Sequence, residues 1–314
     1  MASPRRIVSL LPSATEIVCA LGARPELLGI SHECDFPESV RGLPTLTSSR
    51  LDYAVSSAVI DRDLRAMVRE ALSIYTVDEA KLAALGPDCI VTQDLCQVCA
   101  VSLGDVQSAV ARLAERAEVQ IVSLRPTRLE HVMTDIETVA LALDRPERGR
   151  ALRRELEARI AAIAARAERA ATRPRVVTVE WLAPLMLGGT WMPELIELAG
   201  GQALAVKAGE FAPTLSLDAF AALAPDIVLI KPCGFALERT LQERAFIESQ
   251  LLSRLHAGRA RAFVSDGNAF FNRPGPRLVE SLEIVAACLH PQLFPDFAAK
   301  HRSVLLPLPT RDSH

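Results

Sequence analysis

The feature that most constrains the fold is a long segment without strand signals in the middle of the chain. From about residue 128 to 172, Ala, Leu, Arg and Glu dominate, and Pro146 suits the first turn of a helix. We predict one continuous helix over Glu147–Ala171, about 25 residues and roughly 37 Å long. Such a helix joins two parts of a chain as a stiff strut. A dimerisation helix is the alternative, although heptad repeats are few.

Short apolar runs alternate with amphipathic stretches on both sides of this helix. The predicted strands are Arg6–Leu11, Leu27–Ser31, Cys89–Gln93 and Gln120–Leu124 before it, and Arg175–Trp181, Asp226–Pro232 and Arg261–Asp266 after it. The predicted helices between them include Asp105–Ala117 and Leu217–Leu223. This alternation is typical of α/β folds with mostly parallel sheets. We therefore predict two Rossmann-like α/β lobes joined by a single long α-helix.

The length of 314 residues suits two domains of about 100–150 residues each. The predicted boundaries are an N-terminal α/β lobe over 1–126, a helical connector over 127–173 that contains the long helix, a C-terminal α/β lobe over 174–308 and a tail over 309–314.

Composition and motifs exclude several function classes. A net charge of −3 and an aromatic content of 4% are unlike a nucleic-acid-binding surface. No apolar run reaches the roughly 18–20 residues of a membrane-spanning helix, so we expect no membrane insertion. The chain has no Gly-x-Ser-x-Gly elbow, no Walker A loop and no Gly-x-Gly-x-x-Gly fingerprint. These absences favour a binding protein over an enzyme.

The cysteines and the N-terminus bear on location. Seven cysteines, an odd number that includes a Cys-x-x-Cys pair, favour a reducing compartment over a disulfide framework. Arg5 and Arg6 precede Ile7–Leu11 as in a twin-arginine export signal, but that apolar run is shorter than the about 7–15 residues of a secretory segment. We predict a cytoplasmic location, with a periplasmic or membrane-associated one as the less favoured alternative.

In the first lobe, polar residues follow the predicted strands, where open α/β sheets bind their ligands. Ser13 and Glu16 have the spacing of a capping box, which predicts a helix N-terminus facing a cleft. His32, Glu33 and Cys34 follow the second strand. Ser13, His32 and Glu33 are candidate ligand-binding residues. An ordinary cap and an ordinary polar loop are the alternatives.

In the second lobe, the candidate ligand-binding residues also lie at the ends of strands or after them. They are Glu180, Trp181, Trp191, Asn268 and Phe271. The two tryptophans are the only ones in the chain, and together they suit a flat apolar ligand. The glycines at 188 and 189 are predicted to let the backbone approach that ligand closely.

Four of the seven cysteines also fall just past strand ends: Cys34, Cys96, Cys99 and Cys233. These are the candidate metal ligands, since four thiolates satisfy either zinc or an iron–sulfur cluster. The other three, Cys19, Cys89 and Cys288, lie in apolar stretches and are expected to be core residues.

Motifs along nearly the whole chain resemble the helical-backbone (class III) substrate-binding proteins of ABC importers for vitamin B12 and iron complexes. They are Arg6–Glu16, Ser31–Pro37, Leu85–Asp88, Leu195–Gly201, Leu223–Asp226 and Pro274–Arg277. The chain looks most like the cobalamin-binding branch, in which His-Glu-Cys-Asp, Asp-Leu-Cys-x-Val-Cys and Pro-Cys-Gly-Phe occur together, here at 32–35, 94–99 and 232–235.

The resemblance implies two Rossmann-like lobes joined by one long helix, with cobalamin or a related corrinoid bound non-catalytically in the cleft between the lobes. It also implies an ABC permease as a partner, or a corrinoid-using enzyme for a cytoplasmic protein. The alternative is a cytosolic metalloprotein that holds zinc or an iron–sulfur cluster through the cleft cysteines, as a metallochaperone, a sensor or a cluster enzyme.

Overall fold

The structure is a computed structural model that describes residues 5–69, 75–93, 119–255 and 260–309. The chain divides into two compact units. Unit 1 comprises Met1–Val55, Val59–Pro126 and Glu130–Glu155, and unit 2 comprises Ser56–Ala58, Thr127–Leu129 and Leu156–His314. The predicted helix Asp105–Ala117 and the cysteines at 96 and 99 lie outside the described residues.

Unit 1 contains a four-stranded parallel sheet. Its strands are β1 (Ile7–Ser9), β2 (Leu27–Ile30), β5 (Cys89–Gln93) and β6 (Gln120–Leu124), in the order β2-β1-β5-β6. Every residue of β1 and β5 is buried, as expected for parallel strands that helices cover on both faces. A separate antiparallel pair consists of β3 (Thr47–Ser49) and β4 (Tyr75–Val77).

The helices α1 (Pro12–Ala20), α2 (Ser57–Arg69), α3 (Glu79–Leu85) and α4 (Leu129–Ala142) lie wholly or mainly in unit 1. Two residues mark the ends of α3. The Asp78 side chain accepts a hydrogen bond from the Lys81 backbone N–H at 2.9 Å, which caps the first turn. Gly86 ends the helix in the left-handed conformation, with φ of 51°.

The predicted long helix is present as α5, over Pro146–Ala167. It begins at Pro146 and ends at Ala167 rather than at Ala171. Its residues up to Glu155 belong to unit 1 and those from Leu156 onward to unit 2. The division of the chain therefore falls inside this helix, whereas the predicted connector comprises residues 127–173.

Unit 2 contains a six-stranded, mostly parallel sheet. Its strands are β7 (Arg175–Trp181), β8 (Met186–Leu187), β9 (Gln202–Ala203), β10 (Ile227–Ile230), β11 (Arg261–Ser265) and β12 (Leu305–Leu308). The order is β12-β11-β10-β7-β8, and β9 also pairs with β7. Only β8 and β12 pair antiparallel within this described sheet. The predicted fold class, two α/β lobes with parallel-sheet cores, is confirmed.

The helices of unit 2 are α6 (Met192–Leu198), α7 (Leu217–Ala222), α8 (Leu237–Gln242), α9 (Arg244–Phe246), α10 (Leu278–Leu289) and α11 (Pro295–Lys300). Short 3₁₀ turns occur at Arg24–Glu26, Glu38–Val40 and Leu252–Arg254, and π turns at Ile247–Leu251 and Gly267–Phe271. Nearly every residue of α10 is buried, which makes it the central helix of this unit's core. Across the described ranges, none of the helices is long and apolar enough to cross a bilayer.

A buried ion cluster holds α10, α11 and the second half of α5 together. The Glu283 carboxylate, with its side chain 6% exposed, accepts hydrogen bonds from Arg159 (3.0 Å), Lys300 (2.6 Å) and His301 (2.8 Å). Burial alone would raise the pKa of Glu283, but the hydrogen bonds from His301, Lys300 and Arg159 outweigh it and lower that pKa from 4.5 to about 2.

We predict that Glu283→Gln lowers the free energy of unfolding by about 2 kcal/mol at pH 7, because three donors then lose a charged acceptor. Because its pKa is lowered in the folded state, the ionised Glu283 carboxylate stabilises the fold fully above about pH 4.5. This stabilisation is lost as the pH falls towards 2 and the carboxylate becomes protonated. The difference between wild type and variant should therefore be smaller at pH 3 than at pH 7. Urea unfolding at the two pH values measures it.

The matched control is Asp218→Asn, which breaks a surface ion pair with Arg254. The Asp218 side chain is 89% exposed, so its loss should change the free energy of unfolding by less than about 0.5 kcal/mol. An equal effect of both substitutions would contradict a structural role for the Glu283 cluster.

Candidate functional site

The parallel strands of unit 1 end at one edge of their sheet, and we call the residues that follow them there the carboxyl edge of unit 1. Helix α1 follows β1 at this edge. It begins at Pro12, and its N-cap residue, Leu11, makes no side-chain cap. The predicted capping box is therefore wrong, because the proline sets the start of the helix and leaves Ser13 inside the first turn.

Ser13 is 1% exposed, and its Oγ has no hydrogen-bond partner among the described residues. Nearby on α1, the Thr15 hydroxyl lies 2.8 Å from Ser9 Oγ at the end of β1. A buried hydroxyl without a partner costs free energy that a bound polar group recovers. The role of Ser13 in ligand binding stays a prediction.

The residues after β2 form a hydrogen-bonded group with the β3–β4 pair. The Thr47 hydroxyl accepts a hydrogen bond from the His32 backbone N–H at 3.1 Å and lies 2.7 Å from His32 Nδ1. Tyr75 donates to the Glu33 carboxylate at 3.3 Å. Two predicted site residues, His32 and Glu33, are thus brought together with Thr47 and Tyr75, which sequence reasoning missed because β3 and β4 are too short to give a strand signal.

The His32 side chain is exposed, but part of its ring lies against Tyr75, with ring centroids 5.6 Å apart. This partial burial lowers the pKa of His32 below 6.5. The neutral imidazole, which has a nitrogen lone pair available, is therefore the favoured form at pH 7.

The candidate cysteines do not form a metal centre in the described part of the chain. Cys34 is buried, with Sγ 3.1 Å from Thr15 Oγ1, and Cys233 is half-buried. Residues 96 and 99 are outside the described ranges. Within those ranges no three His, Cys, Asp or Glu side chains are grouped so that they could hold a metal ion. The prediction of a zinc or iron–sulfur centre has no support from these residues.

The carboxyl edge of unit 2, formed by the last residues of β7 and by the residues after β7, β10 and β11, carries a buried ion pair. Lys231 is 1% exposed, and its Nζ lies 2.9 Å from Glu180 Oε2, which belongs to a side chain that is 27% exposed. The Nζ also lies 5.8 Å from the ring centroid of Phe271. Glu180 and Phe271 were predicted site residues. Lys231 was not, because one lysine beside a proline gives no sequence signal.

The carboxyl edge of unit 2 also carries aromatic side chains. Trp181 is partly buried and packs on Phe235 at 5.2 Å between ring centroids, and the Arg239 guanidinium covers that ring at 4.1 Å from its centroid. Trp191 is buried, and its Nε1 donates to the Phe271 backbone carbonyl at 3.0 Å. The two tryptophans therefore differ, since Trp181 keeps part of its surface exposed and Trp191 lies in the core.

The other features predicted for this edge are Asn268 and the glycines at 188 and 189. Asn268 is half-buried in the π turn that follows β11, and its N–H donates to the Phe235 carbonyl at 3.1 Å. A Cβ at Gly188 would lie 2.3 Å from Thr178 Oγ1, and one at Gly189 would lie 2.5 Å from the Ala212 nitrogen. These two glycines allow close approach of the protein to itself rather than to a ligand.

We predict that Glu180→Gln lowers the free energy of unfolding by about 3 kcal/mol, because it leaves the buried Lys231 ammonium without a counter-charge. Lys231→Met should cost less, since Glu180 remains partly hydrated. The double variant Glu180→Gln/Lys231→Met should recover stability relative to Glu180→Gln. Urea unfolding of all four proteins measures the coupling, and additive effects would contradict it.

Comparisons with known proteins agree with this architecture. The family model described as periplasmic binding protein matches residues 7–269. A periplasmic heme-binding protein from Pseudomonas aeruginosa is 22% identical, with a TM-score of 0.67 and 99% of each chain covered. The apo heme-binding protein of Roseiflexus sp. RS-1 is 23% identical, with a TM-score of 0.68 and 94% of this chain and 100% of that chain covered.

The periplasmic vitamin B12 binding protein of Vibrio cholerae is 19% identical, with a TM-score of 0.62 and 91% of this chain and 97% of that chain covered. At these identities the similarity to solved structures establishes the fold. A search of curated protein sequences finds no match to this chain.

The family match corrects one prediction. The cytoplasmic location inferred from the cysteines and from the short N-terminal apolar run is wrong, because the matching family and these three structures are periplasmic binding proteins. An odd cysteine count was a weak guide to location, since buried thiols such as Cys89 and Cys288 are small core residues wherever a protein resides.

Proposed function

The chain belongs to the periplasmic binding protein family, and we propose on this basis that it binds a planar tetrapyrrole complex of a metal, with cobalamin or a related corrinoid as the ligand. The proposed binding residues are those at the two carboxyl edges: Ser13, His32 and Glu33 in unit 1, and Glu180, Trp181, Asn268 and Phe271 in unit 2. The proposed partner is an ABC permease.

The observation that carries the proposal is the pairing of aromatic and polar side chains at the carboxyl edge of unit 2. Trp181 offers a partly exposed aromatic surface, supported by Phe235, and the residue before it, Glu180, carries a carboxylate. A flat macrocycle with polar groups on its rim is the kind of ligand that such a surface binds. The similarity of the fold to the vitamin B12 binding protein of Vibrio cholerae agrees with this choice.

Heme is the second candidate, because several similar structures are of proteins that bind it. Two cations beside Glu180 and Phe235, Lys231 and Arg239, favour the corrinoid. Heme carries two carboxylates, whereas the rim of a corrinoid is mostly neutral amides. Lys231 pairs with Glu180, and Arg239 pairs with Glu243 at 3.0 Å, so both cations already have a counter-charge. A ligand with two carboxylates would have to compete with these acidic side chains.

The test is calorimetric titration of the purified full chain with aquacobalamin, aquacobinamide and hemin. We expect a 1:1 complex with a corrinoid and weaker binding of hemin. Tighter binding of hemin would replace the corrinoid with heme as the ligand. The absence of heat and of spectral change with all three compounds would refute the proposed function.

We predict that Trp181→Ala weakens corrinoid binding at least tenfold, because it removes a large aromatic contact surface. The matched control is Phe211→Ala, which removes an aromatic side chain of the same unit that is exposed to solvent. This control should change the dissociation constant less than twofold. Equal affinities of wild type and Trp181→Ala would remove Trp181 from the binding site.

A further inference from the structure

We propose that His32 coordinates the metal of the bound complex through its Nε2 atom, and that Thr47 is the positioning residue that orients the imidazole. This inference rests on the proposed function, because it concerns the same ligand. It adds a bond to the metal and predicts a preference for complexes with an open axial position.

The His32 ring is held at one end by a single hydroxyl. Thr47 Oγ1 lies 3.1 Å from the His32 backbone nitrogen and 2.7 Å from His32 Nδ1. Both contacts belong to the same residue, so they fix the ring relative to its own backbone. The Tyr75 ring lies beside it at an angle of 49° and limits rotation on that side.

The hydrogen bonds of Thr47 also determine which ring nitrogen carries the proton. A threonine hydroxyl has one hydrogen to donate, and that of Thr47 is donated to Ser31 Oγ at 3.1 Å. At the short contact with His32 the hydroxyl oxygen therefore accepts, and Nδ1 carries the hydrogen. Nε2 is then the nitrogen with a free lone pair. Histidines that bind metals are oriented in this way, with the second nitrogen donating to a protein oxygen.

The same atom is accessible. The His32 side chain is exposed at the carboxyl edge of unit 1, and no described residue forms a hydrogen bond with Nε2. The neighbouring candidates are less suited to bind a metal, since Cys34 is buried against Thr15 and the Glu33 carboxylate accepts a hydrogen bond from Tyr75. Imidazole nitrogen is a good ligand for cobalt and iron, the metals of corrinoids and heme.

The experiment uses cob(II)inamide, a Co(II) corrinoid without a nucleotide base of its own, bound to the full chain. If a histidine nitrogen coordinates the cobalt, electron paramagnetic resonance shows a three-line splitting from nitrogen-14. Protein labelled with nitrogen-15 histidine should show two lines instead. This spectrum reports the metal–nitrogen bond itself and is independent of affinity.

The decisive variant is His32→Asn. The asparagine amide can keep the hydrogen bond to Thr47 but has no group at the Nε2 position, so the loop should stay folded while the nitrogen splitting disappears. Affinity for aquacobinamide should fall about tenfold, and affinity for dicyanocobinamide, whose axial positions are both occupied, should change less than twofold. Thr47→Val should also weaken binding of aquacobinamide about tenfold, because the ring loses its orienting acceptor.

The control is His131→Ala, since His131 is an exposed histidine on α4 and its loss should leave the splitting intact. If cobinamide binds the wild type without nitrogen splitting, or if the splitting survives in His32→Asn, the coordination by His32 is wrong and the proposed function stands. If aquacobalamin, aquacobinamide and hemin all fail to bind the wild type, the proposed function and this inference fall together.

Discussion

Parallel pairing of buried strands is the constraint on which the rest of this structure depends. All residues of β5 and β10 are buried, and both strands pair in parallel on both sides. Parallel strands all run in the same direction, so their carboxyl ends lie at one edge of the sheet. The segments that follow the strands therefore begin at that edge. The sequence is thereby forced to place His32 and Ser13 at one such edge, and Glu180 and Lys231 at another.

This constraint explains which features could be predicted from the sequence. The strands β5, β6 and β7 have the predicted bounds, because each contains a run of β-branched residues, such as Ile90–Val91 in β5 and Val176–Val179 in β7, that the sequence displays directly. The strands β8 and β9 have two residues each and show no periodicity. The partners of His32 and Glu180 could not be predicted either, since Thr47, Tyr75 and Lys231 approach them only in the folded chain.

Charge is arranged differently at the two described edges. In unit 2 the polar side chains are ionic, and the buried Lys231 ammonium keeps the Glu180 carboxylate as its counter-charge. In unit 1, Ser31, His32 and Thr47 are linked by hydrogen bonds between groups that are neutral at pH 7. The Glu33 carboxylate lies beside this neutral group and accepts a hydrogen bond from Tyr75.

Three of the described cysteines, Cys19, Cys89 and Cys288, are poorly suited to bind a metal. A thiol binds a metal as the thiolate, and burial raises the pKa of Cys19 and of Cys89 to about 11, which keeps both protonated at pH 7. Burial also raises the pKa of Cys288. Cys89 and Cys288 are core residues, as their apolar surroundings predicted, whereas Cys19 is only partly buried. Imidazole needs no deprotonation when it is already neutral, so an exposed and oriented His32 offers a ligand atom at a lower free-energy cost than a buried thiol does.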